Sequence, residues 1–426
     1  VRPNSTPTPR RFDELKADLA TGSVTATNVV ADQLDRLRAV HAATNCVAGW
    51  NDDAAMHAAE DLDRRFTRER ATGPLHGIPI TVKDWIDVVG LVCTGGVIEC
   101  RDRRPTRDAT VVARLRAAGA IVIAKTAAQV DSPLFGPVLH PSDPSRSPGG
   151  SSSGEAAAVG GGGSMLGLAS DSGGSIRLPA AWCGVAALKP SAGRIPTTGH
   201  FPRVGDRVDG RTQIGPMATS VRTLAAVLGV VAGPDRIDAG VAPVPLHDPE
   251  SVDIAGIRVG WSVGEPAWTP GPAIRESVAG AVAELAALGA QIVGDVPQHL
   301  DQSLDVTQRY WRRKVGALDG RDTEGHLADW DRYRRRMLLS TQDVDVLVTP
   351  VTSTVAPLHR PMDPLDYIHT LPASLTGAPA VVVPVGFDGA LPLAVQITAQ
   401  PWCDDVALRV AMALEDAMAP VRNAAG

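Results

Sequence analysis

Apolar positions in residues 11–36 recur at helical spacing and are interrupted at Thr21-Gly22-Ser23, which predicts two helices joined by a capped turn. A third helix is predicted over residues 53–70, dense in Ala, Asp and Arg. The short apolar run Ile78–Val82 follows Gly77 and predicts a strand ending at Lys83-Asp84. Beyond it, Ala109–Ala118 reads as a helix closed by Gly119, and Ile121–Ala124 as a buried strand. The same alternation returns with strand Ile257–Trp261, helix Pro272–Leu288, its stop at Gly289 and strand Gln291–Val293. Within that helix Ile274, Val278, Val282 and Leu285 share one face. Strands at Val346–Val348, Ala380–Val383 and Ala394–Ile397 follow. Strands alternating with helices define an α/β fold with a mixed or mostly parallel sheet.

The 426 residues contain no internal repeat and no charge block. Residues 233–253 read as a surface connection, whereas Ser142–Gly174 is made almost wholly of Ser, Gly, Ala, Pro and short aliphatics. A hydrophobic content of 44% with 4% aromatic residues fits a globular chain with an aliphatic core. The net charge of −6 argues against nucleic acid or an anionic membrane as a partner. Five cysteines fit a reducing cytoplasm better than a disulfide framework. The polar, Pro-rich N-terminus is unlike a secretory signal, and no run approaches the ~20 apolar residues of a membrane span. Lysine is rare: Lys16, Lys83, Lys125, Lys189 and Lys314 are the only five among 41 basic residues. A task that needs an amine able to lose its proton is closed to arginine, so each lysine is a candidate for special chemistry. Lys125 and Lys189 fit element ends with solvated heads.

Two serine clusters carry the chemistry. Ser147-Pro-Gly-Gly-Ser-Ser-Ser-Gly-Glu155 surrounds serines with glycines, and Asp171-Ser-Gly-Gly-Ser-Ile-Arg177 puts Ser175 directly after a Gly-Gly pair. Glycines there allow consecutive backbone N–H groups to converge on one point, as an oxyanion hole requires. The literal Gly150-Ser-Ser-Ser-Gly154 also fits a nucleophile elbow at Ser152, but residues 140–149 cannot supply the strand an elbow needs. Glycines 160–163 are not followed by the Gly-Lys-Ser/Thr of a phosphate loop, and a close-packed helix suits them better. The histidines and cysteines lack metal-site spacing, so no metal and no cofactor is expected.

The run Gly149–Pro190 resembles the signature of the amidase signature family, and the two key serines, Ser151 and Ser175, keep its 24-residue spacing. Gly77-Ile-Pro-Ile-Thr-Val-Lys-Asp84 is similar to the family's lysine strand; Asp345–Pro350, Leu375–Ala380 and Leu391–Gln396 are similar to its C-terminal half. The resemblance spans residues from about 11 to 416. It implies one amidase signature domain over 1–426, a mixed sheet covered by helices on both faces, and residues 1–10 as a disordered N-terminal segment.

The resemblance also implies a Ser-cisSer-Lys triad. Ser175 would attack the carbonyl and form an acyl-enzyme. Ser151, after a cis Gly150–Ser151 bond, would relay the proton to Lys83, which is neutral at rest. The N–H groups of Ser172, Gly173, Gly174 and Ser175 would hold the oxyanion, with Ser152, Asp171 and Arg177 as supports. Ser153, Glu155, Ser172 and His140 depart from the usual pattern, as does Ala127–Pro133, a stretch placed to line the substrate pocket. Trp182, Phe201, Tyr310 and Trp311 are candidate pocket aromatics, with core packing the competing reading. The function implied is cytoplasmic hydrolysis of a small-molecule carboxamide. Acyl transfer or ester hydrolysis, and the glutaminase subunit of a tRNA-dependent amidotransferase, are the alternatives. Apart from that last reading, the expected partners are the small-molecule amide and a second copy of the chain.

Overall fold

The computed structural model describes residues 11–69, 73–202, 210–314 and 320–424. Residues 1–10, expected to form a disordered segment, lie outside the described residues. The N-terminal helices are Phe12–Thr21 and Ala26–Thr44, separated at Gly22, with the Thr25 side chain accepting the Asn28 N–H at 3.1 Å. That hydroxyl satisfies one of the donors a helix start leaves free. The second helix runs eight residues past its predicted end, to Thr44.

The strands among the described residues are β1 (Val47–Trp50), β2 (Pro79–Lys83), β3 (Ile121–Thr126), β4 (Asp131–Ser132), β5 (Gly136–Pro137), β6 (Leu166–Asp171), β7 (Ala186–Lys189), β8 (Gln213–Ala218), β9 (Arg258–Trp261), β10 (Gln291–Asp295), β11 (Val346–Pro350), β12 (Ala380–Asp388) and β13 (Leu391–Ala399). Eleven form one sheet in the order β1-β3-β2-β6-β8-β7-β12-β13-β11-β9-β10, and β4 pairs only with β5. β2 runs parallel to β3 and β6, and β9 runs parallel to β10 and β11. The remaining pairs are antiparallel, so the sheet is mixed.

Side-chain alternation along the strands sorts the two faces. Val381, Val383 and Val385 of β12 join the large aliphatic cluster with Leu408 and Leu414 from helix Asp404–Ala424, and Leu285 from helix Pro272–Ala287. Val382 turns the other way, onto Ala156 and Ala180 of the short helices Ser153–Gly160 and Arg177–Cys183. Helices thus cover both faces, a broad aliphatic layer on one and a small-residue layer on the other.

Three central strands, β6, β7 and β8, are absent from the predicted elements. Leu-Gly-Leu-Ala-Ser-Asp lacks β-branched residues, and Gln-Ile-Gly-Pro-Met-Ala carries a proline at Pro216, which normally argues against a central strand. Burial overrides those local preferences, since every residue of both strands is buried. The glycines after Val159 also differ from expectation. The helix ends at Gly160, and Gly161–Gly163 form a turn packed against Leu37 and Val40. Among the described residues no helix is long and apolar enough to cross a membrane.

The small-residue face has no slack at Gly154. A Cβ there would fall 2.4 Å from the Cys46 carbonyl oxygen and within 2.6 Å of the Ala127 backbone N and O. Backbone cannot yield as a side chain can. Gly154→Ala should therefore cost about 3 kcal/mol, measured as a lowered midpoint in urea with an unchanged slope.

Candidate active site

Period-two alternation in β2 puts Thr81 and Lys83 on the face opposite Ile80 and Val82. Lys83 is fully buried, and its Nζ lies 2.8 Å from Ser151 Oγ, 3.0 Å from Ser152 Oγ and 3.3 Å from Ser170 Oγ. The Trp85 ring caps the amine, 4.1 Å from Nζ to the centroid. The Gly150–Ser151 peptide is cis. Ser151 and Ser175 are half-buried, whereas Ser152 is fully buried.

The second serine cluster is shaped by one carboxylate. Asp171 ends β6 and accepts the N–H of Gly174 at 2.7 Å and of Ile176 at 3.1 Å. Arg177 meets the same carboxylate twice, Nε at 3.0 Å and Nη2 at 3.1 Å, and both side chains are wholly buried. Burial alone would raise the Asp171 carboxyl; the charge and hydrogen bonds of Arg177 outweigh it and hold the group down at about 2. The remaining guanidinium donors reach the Thr370 carbonyl and Ser374 Oγ, each at 2.7 Å. Gly174 itself has φ +131°, and a Cβ there would stand 2.2 Å from Thr370 Oγ1, so only glycine fits. Ser175 leaves this turn with its carbonyl accepting the Ser152 N–H at 3.3 Å, which ties the two serine clusters together.

The expected sites are thus assembled in part. Lys83, Ser151 and Ser152 are hydrogen-bonded, and Ser175 is joined to them through the Ser152 backbone. Asp171 and Arg177, expected as supports, form a buried ion pair bonded to the turn that carries Ser175. The Gly174 N–H, expected among the oxyanion donors, is engaged by Asp171 Oδ1 at 2.7 Å. Tyr367, Thr370, Trp85 and Ser170 were not foreseen. Tyr367 donates its hydroxyl to the Gly150 carbonyl at 2.8 Å and neighbours the Ser175 side chain. Its segment comes some 190 residues after Ser175, and nothing local in the chain announces it.

Lys125 and Lys189 are corrected. Both are buried rather than solvated: Lys125 Nζ donates to the Ile86 carbonyl, and Lys189 Nζ to the Pro190 carbonyl at 2.8 Å. Burial pushes the Lys189 amine down to about 7. Of the candidate aromatics, Trp182 is core, donating to the Thr354 carbonyl at 3.0 Å, and Phe201 lies under the Arg103 guanidinium at 3.9 Å. Tyr310 and Trp311 approach the turn that carries Ser172 and Gly173. The Tyr310 hydroxyl is 3.4 Å from Ser172 Oγ, and Trp311 comes within 3.6 Å of where a Gly173 Cβ would be. His140 is also structural, with its ring nitrogens on the Trp182 carbonyl and the Ser142 N–H. The segment after β3 does border the site, because the Gln129 N–H meets the Ser151 carbonyl at 2.8 Å.

A mixed sheet whose buried lysine faces a cis-serine and a Gly-Gly-Ser turn agrees with the signature that the sequence resembles. The amidase family profile matches residues 28–324 and 319–408, and the chain belongs to the amidase signature family. Its sequence is 32% identical to a glutamyl-tRNA(Gln) amidotransferase subunit from Chloroflexus aurantiacus, over 93% of this chain and 94% of that protein. The same subunit from Thermus thermophilus is also 32% identical, over 95% and 97%. Among solved structures, a vestigial protein complex bearing on the origins of an s-triazine catabolic enzyme superposes with TM-score 0.86 at 28% identity, covering 96% of this chain and 98% of that one. A peptide amidase bound to the inhibitor chymostatin gives 0.85 at 25% identity, covering 97% and 98%.

The buried pair makes a stability prediction. Asp171→Asn leaves the Arg177 charge buried without its counter-ion and should cost about 3–5 kcal/mol. Because the native Asp171 carboxyl is depressed, its contribution is present above about 4 and is lost as pH falls toward about 2. Thermal unfolding from pH 6 to pH 2 should show wild type converging on the mutant at the acid end.

Proposed function

We propose that the protein hydrolyses a carboxamide through an acyl-enzyme on Ser175, with Ser151 relaying the proton to a neutral Lys83. The observation that carries this reading is the 2.8 Å contact between Lys83 Nζ and Ser151 Oγ in a site closed to solvent behind it. Ser175 Oγ attacks the carbonyl carbon and passes its proton to Ser151, whose own proton moves to Lys83. The carbonyl oxygen gains negative charge beside the N–H groups of Gly173 and Ser175, neither of which Asp171 engages. Collapse of the tetrahedral species expels ammonia or an amine, which takes the proton back from Lys83 through Ser151. Water repeats the sequence on the acyl-enzyme and frees the acid. Three of the four expected oxyanion donors remain in this scheme, and Ser172 is the most distant from the nucleophile along the chain.

The chain works in this reading as one amidase signature domain, which a single sheet spanning residues 47 to 399 supports. Five free cysteines support a reducing, cytoplasmic setting. A second reading, the glutaminase subunit of a tRNA-dependent amidotransferase, is favoured by the 32% identity to the amidotransferase subunit over nearly the whole chain. It uses the same acyl-enzyme with glutamine as the amide. Against it stand the Ala127–Pro133 segment, which borders the site and departs from the family pattern, and the acidic balance of the chain. Glutamine turnover that appears only with co-purified partner subunits would favour the amidotransferase reading; turnover of small amides by the isolated chain would favour the free amidase.

Two substitutions test the roles. Ser175→Ala should abolish turnover and labelling by a fluorophosphonate, and Ser151→Ala should slow acylation by ~100- to 10,000-fold. Activity of Ser175→Ala within a few-fold of wild type removes the nucleophile assignment.

Lys83→Arg keeps a cation but cannot lose its proton in the working range. It should be as inactive as Lys83→Ala, and wild-type activity should rise with pH along a limb that Lys83 controls. An active arginine variant would mean the lysine is only a charge.

A further inference from the structure

Each carbonyl of the turn that carries Ser175 has a partner. The Gly173 carbonyl faces the Thr370 hydroxyl at 2.6 Å, the Gly174 carbonyl accepts the Leu178 N–H at 2.8 Å, and the Ser175 carbonyl accepts the Ser152 N–H at 3.3 Å. The Ser172 carbonyl accepts Nε of Arg211 at 2.8 Å. A trans peptide is planar, with its C=O and N–H on opposite sides, so the partner of each carbonyl fixes where the next residue's N–H points. Asp171 takes the Gly174 N–H at 2.7 Å. Among the described residues nothing accepts the N–H of Gly173 or of Ser175.

The sheet delivers Arg211 to that first carbonyl. β6 and β8 pair antiparallel with Asp171 opposite Gln213, so the chain two residues before Gln213 runs beside the chain just after Asp171. Arg211 is buried there, and helix Leu300–Lys314 supplies its seat. Thr307 Oγ1 accepts Nη1 at 3.2 Å, and the guanidinium carbon lies 4.4 Å from the centre of the Tyr310 ring. Nη2 stands 3.4 Å from where a Gly173 Cβ would be. A planar, permanently charged group is thus held against one peptide unit, the one that carries the Gly173 N–H.

We propose that Arg211 is a positioning residue for the acylation step: by holding the Ser172 carbonyl it aims the Gly173 N–H at the oxyanion, and its charge strengthens that N–H as a donor. A hydrogen bond from a cation is stronger than one between neutral groups, and groups joined through such bonds polarise one another. Arg211 acts through the peptide and not on the substrate. The proposal rests on the reading of Ser175 as the nucleophile.

The test follows the reaction of a fluorophosphonate with Ser175. The serine oxygen displaces fluoride from phosphorus, the hydroxyl proton leaves by way of Ser151, and the phosphoryl oxygen takes the place of the oxyanion. Kinetics of labelling separate the bond-forming rate, kinact, from the affinity of the preceding complex, KI. Arg211→Met should lower kinact by on the order of 10- to 100-fold, short of the ~100- to 1000-fold of losing a donor outright, with KI within about threefold of wild type. Arg211→Lys should recover part of that loss, because an ammonium can still donate to the carbonyl although it cannot reproduce the fork. An Arg211→Met protein whose kinact stays within about threefold of wild type, or whose loss lies wholly in KI, overturns the proposal. Should neither variant fold, Thr307→Val decides. It removes the partner of Nη1 without touching the turn and should slow kinact by about three- to ten-fold, whereas an unchanged kinact overturns the proposal. Wild type that is not labelled at Ser175 would sink the nucleophile reading itself, and that result is visible before any Arg211 variant is made.

Discussion

The buried Asp171–Arg177 pair is the constraint from which the site takes its shape. Two charges removed from water are costly, and the cost is met here because every strong donor and acceptor of the pair has a use. The carboxylate takes the backbone N–H groups of Gly174, Ile176 and Arg177 as well as Nε and Nη2 of the guanidinium, while the rest of the fork grips Thr370 and Ser374. A neutral pair could fill the volume but would not hold the Gly174 and Ile176 N–H groups on one charged carboxylate. The turn that presents Ser175 is thus an electrostatic object, built to a single geometry rather than packed into one.

The two faces of the sheet divide their labour by side-chain size. Large aliphatics from the N-terminal helices, helix Pro272–Ala287 and helix Asp404–Ala424 bury one face and supply most of the apolar burial. The other face is layered with Ala, Ser and Gly, which lets helix Ser153–Gly160 ride directly on backbone at Cys46 and Ala127. Short hydroxyl side chains reach Lys83 only because the backbones that carry them come so close. Compactness on that face is therefore a requirement of the chemistry, and the aliphatic face provides the rigidity behind it.

Much of this was legible in the chain because the signature is local. Lys83 ends a strand with an unmistakable apolar run, and Ser151 and Ser175 sit in glycine-rich words only 24 residues apart. Scarcity of lysine singled out Lys83 together with other interior lysines: Lys83, Lys125 and Lys189 are all buried, two of them on backbone carbonyls. Lys16, by contrast, is exposed, so rarity alone marks neither burial nor function. Strands β6 and β8 were hidden because their composition suits close approach more than β propensity. The use of the Gly174 N–H was equally hidden, since a glycine pair permits several hydrogen-bond patterns and only the position of Asp171 selects one. Tyr367 and Thr370 carried no signal at all, because their place in the site is a property of the folded sheet.

The reach of Arg177 also bears on how the protein comes into being. Its partners Thr370 and Ser374 lie 193 and 197 positions further along the chain, and Gln396, 3.4 Å from Nη1, lies 219 positions on. A ribosome making this protein from its N-terminus releases the lysine strand and both serine clusters long before it releases the residues that hold the nucleophile turn in place. The growing polypeptide thus carries the Ser175 turn without its distant hydrogen-bond partners for about half of its synthesis. The full set of hydrogen bonds around the Ser175 turn is thus among the last features of the fold whose parts are synthesised, and a prematurely terminated chain lacks the partners that hold it.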